Sequence, residues 1–103
     1  VPTCYSTTAP AAGSWNHLAA TFDGVSKDLK LYVNGSIECT RASTGFTLSG
    51  SGSALTFGVS LSGGSPEAGT YWNGSVGDVR IYNSVLDSTQ VMNNHNVSSG
   101  RFP

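Results

Sequence analysis

Asn34-Gly35 stands between two runs in which apolar side chains recur at every second position, and this arrangement constrains the fold of the 103-residue chain more than any other feature. Leu29, Leu31 and Val33 precede the pair; Ile37 and Cys39 follow it. Asn and Gly both tolerate positive φ, so they suit the centre of a type I′ turn, whose twist matches two antiparallel strands. The same period of two marks 15–22, with Leu18, Ala20 and Phe22 on one face and Trp15, His17, Ala19 and Thr21 on the other. It returns at Leu55, Phe57, Val59 and Leu61. Half-buried strands are therefore the expected main elements, and the chain reads as all-β.

Between these runs, 42–53 is rich in Gly, Ser and Thr and reads as loop, as does 62–69, where Pro66 and the glycines break any ladder. A last strand is expected from Tyr71 to Tyr82. Its phase changes between Val76 and Val79, which a bulge near Gly77-Asp78 would reconcile. Beyond it, Asp87-Ser88-Thr89-Gln90 fits a capping box opening a short helix through about Asn94, with Val91 and Met92 facing inward. Residues 1–13 read as an N-terminal strand or linker segment, and 14–103 as a single domain.

Charged residues make up 11% of the chain, against roughly 25% in ordinary soluble domains. With a net charge of −1 and Lys27, Lys30, Arg41, Arg80 and Arg101 scattered, there is no basic patch for nucleic acid or an anionic membrane. No run approaches the ~18 apolar residues of a membrane span. A start at Val1 is compatible with a processed secreted product or with a segment of something longer. Cys4 and Cys39 allow one bridge, whose closed loop would stabilise the fold by roughly 3–4 kcal/mol; two separate buried thiols are the alternative. Asn34, Asn73 and Asn96 head three N-x-[ST] sequons, candidates for N-glycosylation, although Asn34-Gly35 is accounted for by turn chemistry alone. Ser6-Thr7-Thr8-Ala9-Pro10 has the composition of an O-glycosylated stretch or of a plain linker.

Three blocks carry a family resemblance: Trp15-Asn16-His17-Leu18-Ala19-Ala20-Thr21-Phe22-Asp23-Gly24, Leu29-Lys30-Leu31-Tyr32-Val33-Asn34-Gly35, and Gly74-Ser75-Val76-Gly77-Asp78-Val79-Arg80-Ile81-Tyr82-Asn83. With Leu86 and the helix start they resemble, in order, the core of laminin-G-like, concanavalin A-like domains from Trp15 to Val91. The resemblance implies an antiparallel jelly-roll β-sandwich with one short C-terminal helix, abbreviated at its N-terminus. About seven strands can be counted where a double sheet of this kind has eight or more. An edge is then left to be covered by Val1–Ser6, by a lost upstream segment or by a neighbouring chain.

The function implied is that of an extracellular, non-catalytic recognition or adhesion module whose partner is a glycan or an extracellular protein. The alternative is a structural subunit of an extracellular glycosylated fibre, in which further copies complete one another's sheet edges. Aromatic faces and amides suit sugars, and Tyr71, Trp72 and Asn73, with Glu67 in the preceding loop, are the expected ligand-binding residues; Trp15 is expected to pack. Relatives bind calcium through loop carboxylates, which makes Asp23, Asp28 and Glu67 the candidate calcium ligands, while Asp78, expected to be buried beside Arg80, is expected to form an internal ion pair or to bond to backbone at the bulge. No other cofactor is expected. Glycoside hydrolysis needs two facing carboxyls, yet Glu38 and Glu67 have no acid two or four positions away, so no enzyme is expected. His17 and His95 lack a second ligand at zinc spacing, and His17 reads as a packed sheet residue.

Overall fold

The computed structural model describes residues 4–9, 11–42, 61–62, 64–69 and 72–102, with backbone only at 61–62. The chain divides into two compact units, Val1–Leu48 with Tyr82–Pro103, and Ser49–Ile81. In the first, β1 (Leu18–Phe22), β2 (Asp28–Val33) and β3 (Ser36–Ala42) form an antiparallel sheet in the order β1-β2-β3. The Asn34-Gly35 hairpin forms as expected, with φ of +50° and +82° at its two central residues. The β1–β2 connection closes on Asp23. Its N–H donates to the Asp28 carbonyl (3.1 Å) and its carbonyl accepts from Lys27 N–H (2.8 Å).

Leu18 faces Val33, Ala20 faces Leu31 and Phe22 faces Leu29, so one side of the sheet carries the expected apolar row. That row is not deeply covered at its end, where Leu18 is 57% exposed. The most deeply buried sheet residue is Tyr32, on the opposite side, at 2% exposure. Between Leu31 and Tyr32 the β2–β3 register shifts, pairing Leu31 with Cys39 but Tyr32 with Ile37. Glu38 is thus a bulge residue, and Ile37 and Cys39 do not share the face that simple alternation assigns them.

The capping box is present: Gln90 N–H donates to Asp87 Oδ1 (2.8 Å) and Asp87 N–H to Gln90 Oε1 (3.0 Å). Helix α1 (Ser88–Arg101) runs well past Asn94, although Asn93, Asn94, Asn96, Ser98, Ser99 and Gly100 are poor helix formers. Its buried and half-buried positions, Val91, Asn94, His95 and Ser98, follow helical spacing, so one packed face overrides weak propensity. Val91 is fully buried, whereas Met92 stays 37% exposed. Arg101 lies in the last turn, where its charge favours the helix dipole.

Cys4 and Cys39 are disulfide-bonded with Cα atoms 5.8 Å apart. Beside the bridge, Thr8 donates to Glu38 Oε1 from its N–H (2.8 Å) and hydroxyl (2.7 Å), and Thr7 from its hydroxyl (3.1 Å). Residues 4–9 form no strand: side chains and the bridge, in place of a ladder, tie them to β3. Val1–Thr3 of the expected first strand lie outside the described residues.

In the second unit β4 (Leu61–Ser62) pairs antiparallel with β5 (Ser65–Pro66) through a turn containing Gly64 at φ +83°. The sequence assigned 62–69 wholly to loop. Pro66 is accommodated because it ends a two-residue edge ladder and owes no interior hydrogen bond. Leu55, Phe57 and Val59 lie outside the described residues. The described part of the expected closing strand, 72–82, is in no strand. Gly74 and Gly77 weaken extended structure there, no partner ladder is found among the described residues, and Val76, Val79 and Ile81 remain exposed. Asp78 and Arg80 form the expected ion pair at 3.1 Å, exposed instead of buried. The described residues thus hold a three-stranded antiparallel sheet, a two-stranded one and one helix, consistent with a truncated concanavalin A-like fold.

Candidate functional site

The turn residue Asn34 organises the approach to β1. Its main-chain N–H donates to the His17 carbonyl (2.7 Å), its Oδ1 accepts from His17 N–H (2.8 Å), and its Nδ2 donates to Asn16 Oδ1 (3.3 Å). Asn16 Nδ2 in turn holds the carbonyls of Ala11 (3.0 Å) and Ser14 (3.1 Å). A hairpin tip thereby fixes 15–17, and α1 supplies the other wall. Trp15 and Phe102 have ring centroids 4.7 Å apart at 46°, and the Arg101 guanidinium lies 5.6 Å from the Phe102 centroid. His17 and His95 stand 5.6 Å apart at 57°. Asn94 Nδ2 donates to the Tyr82 hydroxyl (3.2 Å).

Gly35 is required at the foot of this wall. A Cβ there would sit 2.6 Å from Met92 Sδ and 3.3 Å from His95 Cδ2. The sequence did not foretell this cluster. The helix was expected to end before His95, and nothing in the spacing of Trp15, His17, Asn34 and Phe102 joins them; only the favourable Asn-Gly turn hinted that Asn34 is special.

The expected ligand residues lie in the second unit. Trp72 is 59% exposed beside an exposed Asn73, its indole folded toward Gly74. Glu67 is exposed one residue after β5, and Tyr71 lies outside the described residues. Of the calcium candidates, Asp23 directs Oδ1 at the N–H groups of Val25 (2.8 Å) and Ser26 (3.2 Å) within its own turn. Those bonds, Val25 first, hold its carboxyl below the usual range. Asp28 opens β2, and no group of three or more His, Cys, Asp or Glu converges among the described residues. Glu38, missed as an anchor, is likewise held low, chiefly by the Thr8 hydroxyl and then the Thr8 N–H. The sequon residue Asn34 lies within the clamp, and Asn96 is exposed on α1.

A disulfide-tied antiparallel sheet with a capped helix across its hairpin tip is consistent with a truncated β-rich module of the concanavalin A-like class. A laminin G family model, described as the concanavalin A-like lectin/glucanases superfamily, matches residues 2–92, and the chain belongs to that family. Among solved structures it is similar to an S-layer domain-containing protein (residues 221–444) from Clostridium thermocellum, with 26% sequence identity and a TM-score of 0.70. The likeness covers 87% of this chain and 43% of that one, so the chain spans under half of the neighbour's length. No curated protein matches significantly. Among the described residues no helix is long and apolar enough to cross a membrane. Family and disulfide fit an extracellular module.

Proposed function

We propose that the chain is a non-catalytic recognition module working outside the cell, completed as a two-layer jelly roll and binding a glycan or an extracellular protein. The observation that carries this reading is the 59% exposure of Trp72 next to Asn73, an aromatic face and an amide of the kind on which pyranose rings stack and bond. The lack of paired acids in the sequence supports the non-catalytic part. Asn73 and Asn96, with exposed side chains, are the favoured glycan acceptors; Asn34, engaged in the β1 clamp, is the least accessible of the three. Calcium, if used, draws on Asp23, Asp28 or Glu67 and alters no catalytic chemistry. Calorimetric titration with extracellular-matrix and cell-wall oligosaccharides tests the reading: Trp72→Ala abolishes a saturable signal that Trp15→Ala retains. Equal binding by wild type and Trp72→Ala removes Trp72 from the site.

A second reading is favoured by the S-layer neighbour and by the exposure of Val76, Val79 and Ile81. In it the chain is a structural subunit whose sheet edges are completed by further copies. Ordered arrays or filaments in electron micrographs of purified material, with no saturable sugar binding, select this reading over the first.

A further inference from the structure

The segment leading into β1 and the middle of α1 bring together two imidazoles that sequence spacing kept apart. We propose that His17 and His95 form a two-imidazole site for a late first-row divalent metal ion, zinc being the simplest, which clips α1 to the entry of the sheet. An imidazole nitrogen binds zinc at about 2.0–2.1 Å, which puts the ring centre about 3.2 Å from the ion; two such rings have centres about 5.2 Å apart at a tetrahedral angle and about 6.4 Å apart when opposed. The observed 5.6 Å falls inside that interval, and the 57° tilt excludes face-to-face stacking. Both Nδ1 atoms are buried, and that of His95 has no hydrogen-bond partner among the described residues. A buried ring nitrogen left in that condition is destabilising, and a metal ion satisfies it.

Separate features place the two residues. The Asn34 side chain and main chain fix the His17 backbone, while the missing Cβ of Gly35 leaves room for the His95 edge. Both residues are half-buried as a whole, with the Nδ1 atoms on their inner side. Nitrogen donors without a converging carboxylate select a transition-metal ion over calcium. The donor chemistry is thus distinct from that of the calcium candidates.

The test is titration of the whole chain with zinc chloride, followed by calorimetry and thermal unfolding at pH 7.5 and pH 5.5. One saturable site is expected, with a zinc-dependent rise in Tm at the higher pH that disappears at the lower, because protons compete with the metal for ligand nitrogens. His95→Gln, at a half-exposed helix position, weakens binding at least tenfold while the far-UV spectrum is unchanged. Nitrogen-15 spectra of the wild type keep the proposal falsifiable should His17→Gln fail to fold: stoichiometric zinc shifts both imidazoles. No saturable heat, a shift confined to one ring, or wild-type affinity in His95→Gln would overturn it.

Discussion

The β2–β3 hairpin and the segment from Trp72 to Tyr82 both alternate apolar and polar residues, the second with its phase broken between Val76 and Val79, and of the two only the hairpin is paired among the described residues. In the hairpin a two-residue turn with both φ values positive brings the partner alongside at small entropic cost. The later segment has Gly74 and Gly77 within it and no ladder among the described residues, and Ile81 is 72% exposed. Alternation therefore states which side chains share a face. Whether the face becomes a strand depends on a neighbour, and none pairs with 72–82 among the described residues.

The largest test of this contrast removes the ties that make the first unit firm. Replacing Cys4 and Cys39 together by Ser is expected to cost about 2–5 kcal/mol, read as a lower urea midpoint for the sheet and helix signals. The local environment of Trp72, which depends on neither residue, should not follow the loss. A loss below the range that disulfide removal brings would show that β3 does not depend on its tether and would erase the contrast.

A glycine pair sharpens it next. Gly35 and Gly69 have nearly the same φ, +82° and +81°, but a Cβ at Gly35 meets Met92 and His95 whereas at Gly69 it meets nothing within 4 Å. Gly35→Ala is expected to cost about 1–2 kcal/mol from the left-handed backbone alone, with Met92 able to swing aside. Gly69→Ala carries the same backbone cost with no neighbour to displace, so it should cost less by what Met92 and His95 must yield at Gly35. Equal losses would place the two turns under equal constraint.

Much of the first unit was legible because its signals are local. Asn34-Gly35, the parity of Leu29, Leu31 and Val33, and the Asp87–Gln90 spacing each act within a few residues. The bulge at Glu38 was not legible, since it is set by what β3 must meet on its far side, Thr7 and Thr8. The length of α1 was hidden for a similar reason: its second half is held by packing against poor intrinsic propensity. The His17–His95 and Trp15–Phe102 pairs depend on tertiary juxtaposition, which no spacing rule reports. In the second unit the strand expected around Trp72 is not found among the described residues.

A smaller effect isolates the helix from the hairpin. Asp87→Ala removes the acceptor for Gln90 N–H and is expected to cost about 1 kcal/mol. Thermal unfolding followed by helix signal checks it, and an unchanged Tm would mean that packing of Val91 alone holds the first turn.

The smallest expected effect lies at the bulge and is read through pH. Glu38 is exposed, and its carboxyl is held below its ordinary value by Thr8, first through the hydroxyl and then through the N–H. A depressed folded-state pKa means that the unfolded chain binds the proton more readily. The stabilisation from the Thr7–Thr8 contact is therefore fully present above the ordinary carboxylate pKa and fades as pH falls through the lower folded value. Asp23, held low by its own turn, adds a slope of the same sign, so wild type alone cannot separate the two. Glu38→Gln keeps the shape and removes the titration. The difference in stability between wild type and this variant should shrink on acidification, in denaturant titrations at a series of pH values, while the Asp23 slope remains in both. A difference that stays constant with pH would mean that the N-terminal segment is held to β3 by the Cys4–Cys39 bridge alone, and that the bulge aims Glu38 without thermodynamic consequence.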